Sequence, residues 1–291
     1  MELKSDIILT PPRHSSTVVL LRDGPAGLEV FLVKRHGLSD VLGGAYVFPG
    51  GKLDSSDAEL DASRHMDVSA EALHTALAEP ETELAQAGAL FVAALREAFE
   101  ECGVLFAEGV DTGIAQRAQA LLREGMSFNQ VLADLSLRLD TRALAPWSRW
   151  ITPKMASVSS KRFDTRFFVA AIPADQVARH DDHETTESAW LTPRAALQQY
   201  WARDIELAPP QIMSLAHLAR HANVATVMTE ARRQAPPLVC PEPFDQDGER
   251  VLCYPGDPQH SVTQRALPGP TRLIYRNRRF EPPEGEQAFF A

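Results

Sequence analysis

The chain has 291 residues, 29 of them Lys or Arg and 39 Asp or Glu, for a formal net charge of −10, and 44% of it is hydrophobic. That acidic balance argues against a general binder of nucleic acid or anionic membrane, while the apolar share is enough for a sizeable core. No apolar run approaches 18 residues, so neither a membrane span nor a signal peptide is expected.

Residues 18–22 read as a strand, with a turn at Asp23-Gly24-Pro25 and an antiparallel partner at 29–35. Residues 45–48 form a third short strand that leads into Gly50-Gly51. These glycines permit close backbone approach to a phosphate or a metal. Residues 55–88 are rich in Ala, Glu and Asp, with helical stretches near 69–78 and 80–88. A helix follows over 90–102, then two amphipathic helices over 114–124 and 128–138. Residues 163–172 and 188–191 read as strands. A Thr-Pro start opens a helix over 193–201, and another runs over 209–221. Residues 236–291 are Pro-rich, with short strands at 249–254 and 271–276. Strands of both directions with interspersed helices predict an α/β architecture with a mixed sheet.

The most informative stretch is Arg96-Glu97-Ala98-Phe99-Glu100-Glu101-Cys102-Gly103. At about 100° per residue, Phe91, Val92, Leu95, Ala98, Phe99 and Cys102 share one face. Glu97, Glu100 and Glu101 gather on the other, and Gly103 supplies the stop. Like charges at this spacing repel by roughly 0.2–0.5 kcal/mol per pair. The helix dipole disfavours anions in the last turn by about 0.3–1 kcal/mol. A divalent cation reverses the sign of the problem, and hard carboxylate oxygens suit Mg²⁺ or Mn²⁺.

The string resembles the second half of the Nudix box, G-x5-E-x7-R-E-U-x-E-E-x-G-U, with the first half at Phe48-Pro49-Gly50-Gly51-Lys52-Leu53-Asp54. Gly51 and Arg96 are 45 positions apart, so an insertion splits the box. The first Glu of the box falls on Asp57 or is displaced, and Ala98 takes a bulky position. The split box is similar to that of the peroxisomal-type acyl-coenzyme A diphosphatases. Trp150-Ile151-Thr152-Pro153, Trp190-Leu191-Thr192-Pro193 and Pro255-Gly256-Asp257 also fit that branch. A shorter coenzyme A signature is kept at Arg35, Gly44 and Phe48 to Gly51, but Asp40 and Leu42 stand where it has Arg and His.

The resemblance implies a Nudix-type α/β/α sandwich with a mixed β-sheet, plus a helical insertion and a C-terminal extension. Residues 1–235 form the expected domain, with 55–88 inserted in the box, and 236–291 pack on it. The implied reaction is attack of water on a diphosphate in a nucleotide conjugate. Coenzyme A or acyl-coenzyme A leads as substrate, with ADP-ribose or NADH as runner-up and a silent nucleotide-sensing module as the other class.

Glu97, Glu100 and Glu101 are the expected metal ligands, with the carbonyl of Gly50 or Gly51 as a backbone ligand. Arg96 reads as their orienting partner. The base is a box Glu or one from the later loop, where Glu184 and Glu187 are candidates or else belong to a solvated turn. Arg35, Arg162 and Arg166 are candidates to grip a phosphate, or else pair internally with Asp164 or Asp140. Trp147 and Trp150 either stack on an adenine or fill the core. The insertion is a cover, a packing collar or a bystander. Cys102, Cys240 and Cys253 read as reduced thiols. The C-terminal Ala288-Phe289-Phe290-Ala291 is not a peroxisomal S-K-L address, so the cytoplasm is the expected compartment. Oligomeric state stays open, with a homodimer as one option.

Overall fold

The computed structural model describes residue 3 and residues 6–37, 42–155, 161–181 and 185–291. Its centre is β1 (Arg13–Gly24). Val18 and Leu20 point to one face of the sheet and Val19 and Leu21 to the other, all fully buried, as a strand covered on both sides requires. β2 (Gly27–Arg35) returns antiparallel, and β3 (Tyr46–Val47) pairs with Val33 and Lys34. β4 (Gly50–Lys52) pairs with Ser15 to Thr17 of β1.

The insertion forms α1 (Ser55–Glu59), α2 (Ala62–His65) and α3 (Ala70–Leu77). It then runs straight into α4 (Leu84–Cys102). The two helices expected at 80–88 and 90–102 are therefore one, because no proline stands between Leu84 and Cys102 and the helix carries Gly88 through its interior. α5 (Thr112–Arg123) and α6 (Phe128–Asp134) pack on the same face of the sheet. α6 stops short of the expected 138, since Ser136 takes a left-handed φ of 52°.

β5 (Leu144–Ile151) and β6 (Phe163–Ala171) pair antiparallel, and β6 lies parallel to β1. The apolar pattern does not reveal β5. Pro146 lacks a donor, and the register shifts between Pro146 and Ser148, as proline in a strand demands. β7 (Thr185–Leu191) pairs with β2. α7 (Pro193–Ala202), α8 (Pro209–Leu218) and α9 (Val224–Arg233), the last also absent from the sequence pattern, cover the opposite face. Thus two helical layers sandwich a mixed sheet of eight strands, the last being β8 (Leu238–Val239), parallel to β5.

Beyond it, β9 (Glu242–Gln246), β10 (Glu249–Cys253), β11 (Arg272–Arg276) and β12 (Arg279–Glu281) make a separate antiparallel sheet. Its Leu252, Leu273 and Phe280 share a core with Trp150 and Tyr200. Tyr200 Oη donates to the Phe280 carbonyl at 2.8 Å and accepts from the Phe280 N–H at 2.9 Å. Phe289 is fully buried against Trp201. No helix among the described residues is long and apolar enough to cross a membrane.

The insertion is knitted into the body. Leu73 and Leu77 are buried in the α4 core. Arg138 Nε donates to the Met66 carbonyl, and Thr141 N donates to Asp67. Glu79 takes Arg166 Nη2 at 2.6 Å and Arg149 Nη1 at 3.1 Å. Arg149 also grips Asp164 with Nε and Nη2, both at 2.9 Å. These contacts make it a packing collar that is part of the core.

Candidate active site

The acidic turn is placed by the end of α4. The N–H of Gly103 bonds to the Phe99 carbonyl at 2.9 Å, and Gly103 has φ +69°. Only a residue without a Cβ adopts that conformation cheaply. On the sheet side, Ser16 Oγ of β1 donates to the Leu90 carbonyl at 2.7 Å, tying helix to strand.

Arg96 is the hub. Its Nε and Nη2 reach Asp57 at 2.7 and 3.0 Å, its Nη1 reaches Glu97 at 2.8 Å and Glu100 at 3.0 Å, and Nη2 also donates to the Lys52 carbonyl. Burial opposes its charge, but Asp57, Glu97 and Glu100 outweigh burial and hold it protonated. Arg96 thereby binds three segments together: α1, β4 and α4.

Glu97 lies flat against Gly51, where an added Cβ would collide with its carboxylate. Burial is the main cause that pushes the Glu97 carboxyl up to about 7, against the opposing pull of Arg96. Glu101 is buried and accepts the N–H of Gly50 at 3.1 Å. Glu100 is more open, with 37% of its side chain exposed. Asp57, Glu97 and Glu100 thus gather around one guanidinium already committed among them, and Glu101 stands on the Gly50 side. Hard oxygen donors of this kind suit a divalent cation.

The segment before β7 docks on the same turn. The N–H groups of Arg179 and Asp181 bond to the carbonyls of Cys102 and Glu101 at 3.0 and 2.9 Å. Asp181 is a residue the sequence pattern does not single out, since nothing local distinguishes it from its acidic neighbours. Glu184 lies outside the described residues.

Glu187 is not brought to the cluster. It stands opposite Lys34, on the sheet face of Leu32 and Tyr46, whereas α4 packs on the other face. Lys34 Nζ at 2.9 Å and Tyr46 Oη at 2.8 Å hold its carboxyl below the usual range. The expectation that it serves as base gives way to this pairing.

Of the three candidate phosphate grips, Arg166 takes the other expected role, internal pairing with Asp164, and Arg162 takes neither. Arg166 is 2% exposed and its donors go to Glu79, Asp164 and His14. Arg162 braces the backbone, donating to the carbonyls of Thr152 and Thr10. Arg35 differs: its Nε is buried and has no partner among the described residues. Trp147 and Trp150 are both 4% exposed, in the core on the face of α7 and α8, so neither offers a ring to an adenine.

A profile of the NUDT19 Nudix domain matches residues 7–218. The acyl-coenzyme A diphosphatase NUDT19 of Xenopus laevis is 28% identical over 231 residues, covering 67% of this chain and 61% of that protein. Its Homo sapiens counterpart is 28% identical over 241 residues, covering 70% and 64%. The chain therefore spans less than two thirds of the length of these relatives. A solved Nudix hydrolase from Alicyclobacillus acidocaldarius superposes with a TM-score of 0.62 at 30% identity, covering 76% of this chain and 97% of that one. With the sandwich, the acidic turn and the match across residues 7–218 in agreement, the chain belongs to the Nudix family, in the group described by the NUDT19 Nudix domain.

Proposed function

We propose that the chain is a divalent-metal-dependent diphosphatase acting on a nucleotide conjugate, with coenzyme A or acyl-coenzyme A as substrate. One observation carries the reading: Glu97 lies against Gly51, Glu101 accepts the Gly50 N–H and Arg96 bridges Glu97 and Glu100, although 45 positions separate Gly51 from Arg96. The names of the Xenopus laevis and Homo sapiens relatives favour the coenzyme A class.

Glu97, Glu100 and Glu101 would hold Mg²⁺ or Mn²⁺, with the Gly51 carbonyl as backbone ligand. When bound, the cation supplies charge neutralisation on the bridging phosphates and lowers the pKa of water. The chain's own part is positioning. Arg96 fixes the rotamers of Glu97 and Glu100, and the bare Cα of Gly51 leaves Glu97 its place. Glu101 pins the Gly50 loop. Arg35, whose Nε no described residue takes, would be the candidate to bind a substrate phosphate. The base that takes the proton of the attacking water is one of the box carboxylates or Glu184.

The products would be 3′,5′-ADP and 4′-phosphopantetheine, or its acylated form. Mass spectrometry after incubation with coenzyme A, an acyl-coenzyme A, ADP-ribose and NADH, each with Mg²⁺ or Mn²⁺, tests this. A clear preference for ADP-ribose or NADH transfers the protein to that class. No turnover of any of them leaves a nucleotide-sensing module.

A further inference from the structure

On the face of the sheet opposite α4, two imidazoles and a carboxylate meet. His217 ends α8, and His221 follows one turn later. Glu230 reaches across from α9, placing Oε1 2.8 Å from His217 Nε2 and Oε2 3.5 Å from His221 Nε2. One ligand atom from each of the three lies within 4.8 Å of the others. Donors around a tetrahedral Zn²⁺ stand roughly 3.3 Å apart, given Zn–N and Zn–O bonds of about 2.0–2.2 Å. Small side-chain rotations close the difference.

The hydrogen bonds decide which nitrogen is free. Thr226 Oγ1 donates its one proton to the Asn223 carbonyl at 2.8 Å. It can therefore only accept from His221 Nδ1, 3.2 Å away. That places a proton on His221 Nδ1, so in the neutral ring Nε2 is a lone pair directed at a carboxylate oxygen. Two acceptors facing each other call for a proton or a metal ion between them. A hydroxyl on the far ring nitrogen is also how metal-binding imidazoles are oriented. Trp147 packs on the His217 ring at 4.3 Å and on the His221 ring at 5.9 Å, which restricts both. Burial is the main influence lowering the affinity of both imidazoles for a proton, which keeps them available as neutral ligands.

We propose that His217, His221 and Glu230 form a second metal site, for Zn²⁺ or a similar transition-metal ion, separate from the carboxylate cluster. Two imidazoles with one carboxylate select a borderline ion over Mg²⁺. The three ligands border a cleft of about 650 Å³ that Arg220, Gln264, Arg265 and Pro268 also line. The remaining coordination position opens on that cleft, as in sites that keep an exchangeable water. His217 Nε2 now shares a proton with Glu230, and metal binding moves that proton to Nδ1. Because His217 Nδ1 is buried without a partner among the described residues, this tautomer change weakens the site relative to a fully supported one.

The test is titration of the full chain with Zn²⁺ in excess Mg²⁺, which occupies the hard carboxylates. Co²⁺ serves as the spectroscopic probe. One equivalent of Zn²⁺ should bind, and Co²⁺ should show d–d bands of a four- or five-coordinate site. His221→Gln and Glu230→Gln should each weaken Zn²⁺ binding at least tenfold. Thr226→Val, which leaves all three ligands in place, should weaken it about 10–100-fold. Glu100→Gln should leave it unchanged. Absence of binding in excess Mg²⁺ overturns the proposal and leaves a protonated His221–Glu230 pair. Loss of binding in Glu100→Gln together with full binding in His221→Gln also overturns it, by assigning the ion to the carboxylate cluster.

Discussion

Arg96 and Asp57 meet in a two-point contact, Nε to Oδ1 at 2.7 Å and Nη2 to Oδ2 at 3.0 Å. Asp57 is 2% exposed, so this pair is held out of water. Its Oδ2 also accepts the N–H of Asp54 at 2.8 Å, closing the capping box of α1. The carboxylate at this position is therefore an anchor for the residue that orients the acidic turn.

Asp57→Ala should destabilise the protein by about 2–3 kcal/mol, because charged hydrogen bonds are lost and Arg96 keeps a buried charge. kcat should fall as well, since Arg96 no longer holds Glu97 and Glu100 in fixed rotamers. Urea denaturation and steady-state kinetics measure the two effects. Unchanged stability would show that the contact contributes nothing.

Glu100→Gln and Glu101→Gln should each nearly abolish turnover without unfolding the chain. In Glu101→Gln the amide oxygen would still accept the Gly50 N–H, so metal-free Tm should hold or rise slightly. The gain in Tm on adding Mg²⁺ should shrink, because stabilisation by a ligand follows its affinity. Wild-type kcat at saturating Mg²⁺ in either variant would refute the ligand assignment.

Glu97 gives a pH signature. Its carboxyl rises from 4.5 to about 7 on folding. Between those values the folded protein holds a proton that the unfolded chain has lost. Metal-free stability should therefore fall as pH rises from 4.5 to about 7. Below about pH 7, metal binding should release a proton, because the ligand must be ionised. Denaturation in chelator across that range, and calorimetry in buffers of different ionisation enthalpy, measure these. In Glu97→Gln this part of the slope should vanish.

Glu79→Ala should cost about 3–5 kcal/mol, because it leaves the buried Arg166 to share Asp164 with Arg149, with only the exposed Glu81 as a further carboxylate for Arg149. By the same reasoning, replacing residues 55–88 with a short Gly-Ser bridge should yield an unfolded or insoluble chain. A folded, active deletant would return the insertion to the role of a cover.

Arg35→Ala should raise KM with a smaller change in kcat, the pattern of lost uniform binding. Steady-state kinetics on the preferred substrate decides it. An unchanged KM would remove Arg35 from the site.

The long, strongly patterned elements are legible from sequence: β1, β2, β6 and the C-terminal half of α4 each carry an uninterrupted apolar period. β5 escapes because Pro146 breaks the period, and α9 because Val224 and Thr226 weaken its helical signal. At the site, the three glutamates are legible because the motif is local. The pairing of Arg166 with Asp164 is legible too, but its Glu79 partner and the fates of Arg162 and Glu187 are not, since those partners are distant in sequence or across the sheet. Arg166 meets Glu79 from 87 positions away, and Glu187 meets Tyr46 from 141. His217 and His221 do carry a local signal, their i, i+4 spacing at the end of an expected helix.

The split motif has a consequence for how such proteins are found. Gly51 touches Glu97, and Asp57 touches Arg96, sideways across the seam between loop and helix. Neither contact depends on how much chain is looped out between its partners, provided the looped chain is itself well packed. The signature is thus a set of pairwise distances, and its linear spacing is free to drift. A search that fixes the gap will miss relatives that keep the chemistry whole. One that asks only whether a glycine strand, an anchoring acid and an acidic helix end share one seam will keep them.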